Sequence, residues 1–270
     1  MIRAALIGHP VNHSKSPRIH KHWLRTYGID GDYTVIDTPP EKLQITINDL
    51  IANGYAGFNV TLPHKVAVMS MCETLDQTAR AIGAVNTVTI RNGKCHGMNT
   101  DAFGFIENLR AHFPGLNVMG KTAVVLGAGG AARAVIHTLS DAGIEKILLI
   151  NRTAEHAQIL AEAFPAVEVA PWPSRSESLS RADLLVNTTS LGMIGKDPLD
   201  LALDALPPTA IVCDIVYAPL ETDLLHQARA RGNPVCTGIG MLLHQARAGF
   251  KTWFGRDPVV TPELEAEVMS

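Results

Sequence analysis

Residues 121–143 read KTAVVLGAGGAARAVIHTLSDAG: an apolar strand TAVVL, a glycine turn, and a helix in immediate succession. Within the turn, GAGGAA at 127–132 fits G-x-G-x-x-A. Gly127 permits the tight turn, Gly129 lets backbone amides approach a pyrophosphate, and small Ala132 lets helix and strand pack closely. A bare glycine pattern carries little weight, and the strand before it and the helix after it are what give it meaning. Gly127, Ala128, Gly129, Gly130 and Ala131 are therefore expected to cradle a dinucleotide, and the stretch opens an α/β unit of the Rossmann-like kind.

Downstream, EKILLINRT at 145–153 reads as the next strand, followed by a helix over 153–163 and by strands in ADLLVNT and AIVCDIVY. A nicotinamide site that takes NAD usually has a carboxylate at the end of the second strand. Here Asn151, Arg152 and Thr153 present a guanidinium and a hydroxyl suited to a 2′-phosphate, so NADP is favoured; Glu155 leaves some room for NAD. The Pro- and Ser-rich run at 170–180 reads as a loop inside this unit.

Upstream lies a separate β/α series. RAALIGHP reads as a strand, PRIHKHWLRTYG as a helix entered through proline and ended by glycine, and GDYTVIDTPP as a strand. The helical pattern EKLQITINDLIANG and the strand AGFNVTLP follow, then a helical piece around 66–80 and a hairpin turning at RNGK. Alternating β and α elements favour a mostly parallel sheet. GIGMLLHQARAGFKTWFG at 238–255 reads as a long amphipathic helix.

Composition narrows the partners. The 270 residues are 46% hydrophobic and 18% charged with net charge −3, which argues against disorder and against a broad basic nucleic-acid surface. A small-molecule partner is expected. The N-terminal apolar run is too short for a signal peptide and no stretch reaches the ~18 apolar residues of a membrane span, so a cytoplasmic location without membrane contact is expected. Cys72, Cys95, Cys213 and Cys236 form no C-x-x-C pair and read as reduced packing residues. His20 and His22, two apart on a helix, point to nearly opposite faces, so no metal site is expected.

The candidate chemistry lies in the first series. In HSKSP at 13–17, Ser14 and Ser16 share one face if the segment is extended and could grip a carboxylate; equally, Ser16 before Pro17 is an ordinary N-cap, and Lys15 reads as a surface charge. In NVTLPHK at 59–65, alternation puts Asn59 and Thr61 together, and Pro63 throws Lys65 into the next turn. An ammonium beside a cleft can work as an acid or base when a carboxylate holds it. Asp101, in GMNTDAFGF at the junction between the two series, is an available partner, and Asn86 could add hydrogen bonds.

HSKSP, NVTLPHK, GAVNT, NTDAFGF, GAGGAARA, NRT, NTTSLGM, DIVYAP and GIGMLLHQA, in this order, resemble the shikimate 5-dehydrogenase family across almost the whole chain. The resemblance implies NADPH-dependent reduction of 3-dehydroshikimate to shikimate, on the route to aromatic amino acids. It further implies that Ser14 and Ser16, with Tyr217 of the Y-x-P-x-x-T stretch, bind the substrate carboxylate. Thr61, Asn86, Asp101 and Gln245 would bind ring hydroxyls, Lys65 with Asp101 would be catalytic, and Ile215 and Gly238 would lie along the nicotinamide. The implied architecture is an α/β fold of two domains. A discontinuous substrate domain of 1–102 and 239–270 would surround an NADP domain of 103–238, with the site in the cleft, in a monomer or homodimer.

Two departures from the family bear on specificity. Ala154, Glu155 and His156 stand where a second basic residue often follows NRT, leaving Arg152 to hold the phosphate mainly alone. Ala218 replaces a common polar residue after Tyr217. A quinate/shikimate enzyme of broader substrate or cofactor use is one alternative, and a non-catalytic NADP-binding sensor is another. The paired serines favour shikimate, and the intact Lys65 and Asp101 argue against the sensor.

Overall fold

The structure is a computed structural model and describes residues 1–11 and 13–270. It divides into two compact units, one of Met1–Gly104 with Leu242–Ser270, the other of Phe105–Met241.

The first unit opens with β1 (Ile2–Gly8), α1 (Ser16–Thr26), β2 (Gly31–Asp37), α2 (Leu43–Ala52) and β3 (Gly57–Val60). Next come β4 (Thr74–Leu75), α3 (Gln77–Ile82), the hairpin β5 (Thr87–Arg91) and β6 (Lys94–Met98), and the start of α4 (Asp101–His112). Its sheet runs β2-β1-β3-β5-β6-β4; β1 is parallel to β2 and β3, β4 to β6, and the β3–β5 and β5–β6 pairs are antiparallel. The hairpin turns through Asn92 and Gly93, both at positive φ, as its two-residue loop requires. Leu43, Ile47 and Leu50 recur at helical spacing on α2 and bury against Ala5, Ile7, Phe58 and Val60. Truncating a fully buried Phe58 to alanine costs about 3–5 kcal/mol on that account.

The helix expected around 66–80 is instead a 3₁₀ turn at Ala67–Met71, the short β4, and α3. Long-range bonding breaks it: the Glu73 N–H donates to the Cys95 carbonyl and the Asp76 N–H to that of Gly97, which draws this segment onto the sheet edge. Asp76 then caps α3 by accepting from the Ala79 N–H. At α1 the N-cap is Lys15, with Ser16 inside the first turn, so Ser16 is not the cap. Nor is Lys15 a plain surface charge, since its Nζ donates to the Val268 carbonyl at 2.6 Å.

The second unit contains β7 (Thr122–Leu126), α5 (Gly130–Asp141), β8 (Lys146–Asn151), α6 (Ala154–Ala163), β9 (Val167–Pro171), β10 (Leu184–Asn187), β11 (Ile211–Asp214), α7 (Asp223–Ala230) and β12 (Val235–Cys236). All its strands are parallel in the order β9-β8-β7-β10-β11-β12, which in order of appearance is 3-2-1-4-5-6, the doubly wound dinucleotide-binding arrangement. The unbroken apolar run of β7 follows from burial on both faces. Ala123 and Val125 pack with Val135, Ile136 and Leu139 of α5, while Val124 and Leu126 pack with Leu224 and Leu225 of α7. The chain reverses direction across the sheet between β7 and β10, where an open α/β sheet binds its ligand.

The chain then returns to the first unit through α8 (Ile239–Phe254) and ends in α9 (Pro262–Met269). Phe250 and Trp253 of α8 join His20, Trp23 and Tyr33 in an aromatic core, where the His20 ring stacks on Tyr33 at 4.0 Å and 6°. His22 faces away and pairs with Glu267, 2.6 Å from its carboxylate, so the two histidines diverge. Among the described residues no helix is long and apolar enough to cross a membrane.

Candidate active site

In the first unit β3 ends at Val60, and Thr61 begins a turn that carries Lys65. The turn is pinned on several sides. The Thr61 N–H donates to the Ile7 carbonyl, the His64 N–H to Thr61, and the Val85 N–H to the Lys65 carbonyl, while the buried His64 ring bonds the Thr38 carbonyl at 2.6 Å. Lys65 is thereby held with only 14% of its side chain exposed, and its Nζ donates to Asp101 Oδ2.

Asp101 is the first residue of α4, where aligned peptide dipoles favour a carboxylate. Asn99 sets its backbone by accepting the Asp101 N–H at 3.0 Å. Asn86 donates from Nδ2 to Asp101 Oδ1 at 2.8 Å and to Gln245 Oε1 at 3.3 Å. Lys65, Asp101, Asn86 and Gln245, far apart in the chain, thus form one hydrogen-bonded cluster. Thr100 joins it unforeseen: its N–H donates to Asn86 Oδ1 at 2.8 Å. The Ser14 and Ser16 hydroxyls meet at 3.2 Å, through the turn into α1 rather than on one face of an extended segment. Half-buried Thr61 lies on the same turn as Lys65 but makes no side-chain bond to the cluster.

In the second unit, Gly127 has φ +100°, and a Cβ there would meet Thr188 Oγ1 at 2.7 Å. Gly129 is the N-cap of α5 in extended conformation, and a Cβ on it would meet only open space. Its smallness serves no packing purpose. It leaves room for a group to approach the α5 N-terminus across Ala128, Gly129, Gly130 and Ala131, as a pyrophosphate needs. Asn151 ends β8 and bonds the Thr153 carbonyl at 2.7 Å, leaving the Arg152 and Thr153 side chains exposed beside it. These residues fit a nicotinamide dinucleotide carrying a 2′-phosphate.

Buried Asp214, at the end of β11, organises the neighbouring loops. Its Oδ1 accepts from the Val216 N–H and from Asn187 Nδ2, both at 3.0 Å, and its Oδ2 accepts from the Thr222 hydroxyl at 2.7 Å. Burial raises its pKa to about 6 against the pull of these three donors. Half-buried Ile215 and Tyr217 lie on the loop so held, and burial raises the Tyr217 phenol. Gly238 follows β12 with no room for a side chain, because a Cβ would fall 2.3 Å from the Ile215 carbonyl oxygen. All four cysteines are free thiols. Cys213 and Cys236 are register partners on β11 and β12. Burial holds Cys213 up, while Cys236 is lowered to about 6 by hydrogen bonds from Cys213 and His112. Among the described residues no group of three or more His, Cys, Asp or Glu side chains could hold a metal ion.

A dinucleotide-type glycine loop in one unit, and a shielded lysine–carboxylate pair among amides in the other, define the class as a nicotinamide-dependent oxidoreductase. Comparison with known proteins narrows this. Residues 6–88 match the shikimate dehydrogenase substrate-binding domain, residues 109–198 the shikimate/quinate 5-dehydrogenase family, and residues 238–260 the shikimate 5′-dehydrogenase C-terminal domain. The chain is 53% identical to the shikimate dehydrogenase (NADP(+)) of Paramagnetospirillum magneticum, over 99% of this chain and 98% of that one. Among solved structures it resembles the Thermus thermophilus shikimate 5-dehydrogenase in complex with NADP(H) and shikimate, with TM-score 0.87 and 39% identity over 99% and 98% of the two chains. It also resembles the Corynebacterium glutamicum quinate dehydrogenase in complex with NAD, with TM-score 0.91 and 30% identity over 98% of each. The chain belongs to the shikimate dehydrogenase family.

Proposed function

We propose that this protein catalyses the reversible NADPH-dependent reduction of 3-dehydroshikimate to shikimate. The observation that carries the reading is the Lys65–Asp101 ion pair, shielded from solvent and flanked by Asn86 and Gln245. An acid/base lysine needs a fixed position, and the ion pair uses only one of the three donors of its ammonium. When bound, the nicotinamide supplies hydride transfer to and from the substrate carbon. Lys65 Nζ gives its proton to the carbonyl oxygen as negative charge gathers there, and takes it back from the hydroxyl in the reverse direction. Asp101 keeps Nζ in place, and also accepts a ring hydroxyl of the substrate together with Thr61, Asn86 and Gln245. Ser14, Ser16 and Tyr217 hold the carboxylate. Gly127 to Ala131 would cradle the pyrophosphate, Asn151, Arg152 and Thr153 would take the adenosine end with its 2′-phosphate, and Ile215 and Gly238 would lie along the nicotinamide.

In this reading residues 1–102 with 239–270 form the substrate domain and 103–238 the NADP domain. The setting is the cytoplasm and the unit a monomer or homodimer, and the net charge of −3 offers no broad basic surface for nucleic acid, in keeping with a small-molecule partner.

A second reading, with broader use of quinate or NAD, draws on exposed Arg152 being followed by Ala154, Glu155 and His156. Steady-state turnover with shikimate and with quinate, each with NADP and with NAD, separates the two. Turnover confined to shikimate with NADP supports the first, comparable rates in several combinations support the second, and silence in all four overturns both in favour of a cofactor-binding sensor.

A further inference from the structure

Beneath the Lys65–Asp101 pair, a set of buried polar side chains crosses the first sheet. Tyr33 on β2, Asn59 on β3 and Thr87 on β5 lie on one face: Tyr33 is in register with Ala4, Ala4 with Gly57, and Asn59 with Thr87. Small Ala4 and Gly57 share that face. Tyr33 and Thr87 have no exposure and Asn59 has 5%, and the side-chain bonds of all three are to other protein groups.

Their hydrogen bonds run in one direction. The Tyr33 hydroxyl donates to Asn59 Oδ1 at 2.7 Å. With its oxygen so used, the Asn59 amide turns both N–H groups the other way, to Thr87 Oγ1 at 2.9 Å and to the Asn86 carbonyl at 3.1 Å. A hydroxyl that accepts from Asn59 has one hydrogen to give; the nearer acceptor for Thr87 is Asn86 Oδ1 at 3.1 Å, with the Thr100 hydroxyl at 3.3 Å as its other neighbour. The Thr100 N–H adds to the same oxygen, so Asn86 Nδ2 faces Asp101 Oδ1. Each link fixes the donor direction of the next, and buried chains of this kind polarise and strengthen one another. Burial holds the Tyr33 phenol well above its ordinary range, with the Ser16 hydroxyl beside it opposing weakly, so the head of the chain stays a donor. The His20 ring stacked on Tyr33 fixes the phenol from the side.

We infer that Tyr33, Asn59 and Thr87 are positioning residues: a one-way hydrogen-bond chain that aims the Asn86 amide and, through it, the Asp101 carboxylate that holds Lys65. This rests on the function proposed above. Thr87 is the narrowest link, because a single hydroxyl carries the direction there. Thr87→Val keeps the shape and removes the hydroxyl, and Thr87→Ser keeps the hydroxyl.

Steady-state kinetics of shikimate oxidation decide it. The expectation is a kcat lowered roughly tenfold in Thr87→Val with the KM for NADP within about twofold, recovery to within about twofold in Thr87→Ser, and a smaller loss of kcat in Tyr33→Phe. Wild-type kcat in both Thr87→Val and Tyr33→Phe overturns the inference, as does a Thr87→Ser protein as impaired as Thr87→Val, since the role would then be packing. If the wild-type protein does not turn over shikimate, the function reading fails by itself. The chain is then tested by hydrogen exchange of the Asn86 side-chain amide, measured by NMR. Faster exchange in Thr87→Val than in Thr87→Ser upholds it, and equal exchange overturns it.

Discussion

The Lys65 ammonium and the Asp101 carboxylate form an ion pair whose side chains are 14% and 8% exposed. One comes from a turn after β3, the other from the first position of α4, and both are pinned by backbone bonds independent of the pair itself. A pair built this way has a defined geometry before substrate arrives, which is what proton transfer to a carbonyl oxygen requires.

Removing Lys65 therefore separates chemistry from binding, and removing Asp101 touches both. Lys65→Met is expected to lower kcat by ~10²–10⁴ with the KM for shikimate changed much less, the range for losing a positioned acid/base. Asp101→Asn keeps the shape and leaves the ammonium without its anchoring charge. It is expected to lower kcat as well and to raise KM, because Asp101 also meets a substrate hydroxyl in the proposed mechanism. Stopped-flow measurement of the hydride step, alongside steady-state rates, checks both.

Gly127 and Gly129, three and one positions before the first residue of α5, differ in what they tolerate. Alanine at Gly127 must adopt φ +100° and press against Thr188, so Gly127→Ala is expected to lower the melting temperature by several degrees, at ~1 kcal/mol or more. Alanine at Gly129 meets open space. Gly129→Ala is expected to melt like the parent yet bind NADP at least tenfold more weakly, since its methyl group intrudes where the pyrophosphate approaches the helix N-terminus. Thermal melts with and without NADP distinguish the two.

Arg152 is exposed, and the residues after it supply no second cation before His156. Arg152→Ala is expected to raise the KM for NADP by roughly 10–100-fold, the worth of a charge-assisted hydrogen bond to phosphate, and to leave the KM for NAD nearly unchanged. Parallel loss with both cofactors would place Arg152 in the fold rather than at the phosphate.

What the sequence made legible was local. The strand, glycine turn and helix at 121–143 and the Asn92–Gly93 hairpin declare themselves because a few adjacent residues dictate their backbone. The fate of 66–80 was not legible, because its helical pattern yields to bonds with Cys95 and Gly97 on a strand formed later in the chain. Two-residue β12 has no periodicity to read, and exists because Val235 and Cys236 pair with Val212 and Cys213. At the site, Lys65, Asp101 and Asn86 stand out in their motifs; Thr87 and Thr100 stand in the same motifs but gain their role from the hydrogen bonds the fold gives them, and Tyr33 gains its role from the register of β2. Ser16 was ambiguous for a related reason, since a serine before proline suits both a cap and a binding face. The structure puts it inside the first turn of α1, beside Ser14.

Asp214 carries a stability that depends on pH. Its pKa in the folded protein, about 6, lies above the ordinary aspartate value of 3.8, so the protonated form is the one that folding favours. Its contribution is complete below about pH 4 and is lost as pH rises through 6, amounting to roughly 2 kcal/mol between pH 4.5 and 7.5. Asp214→Asn removes the titration, keeps an oxygen for Val216 and Asn187, and offers its N–H to Thr222. The melting temperature of the variant relative to the parent is expected to rise by about 5 °C from pH 4.5 to 7.5. A difference that stays flat across that range would show that burial does not raise the group.

His20 titrates in the opposite sense. It is fully buried, and burial lowers its pKa to about 3 while a hydrogen bond with the Asn59 side chain opposes this. A depressed pKa means that the neutral ring contributes its full stability above about pH 6.5, and that this is lost progressively as pH falls toward 3. Between pH 7 and pH 4 the loss is about 3 kcal/mol, a large share of a typical domain's stability. His20→Phe keeps a flat ring among Trp23, Tyr33, Phe250 and Trp253 and has nothing to protonate. Its urea midpoint is expected to fall much less than the parent's between pH 7 and pH 4. Equal acid sensitivity in the two proteins would move the origin of the acid limb from His20 to the carboxylates.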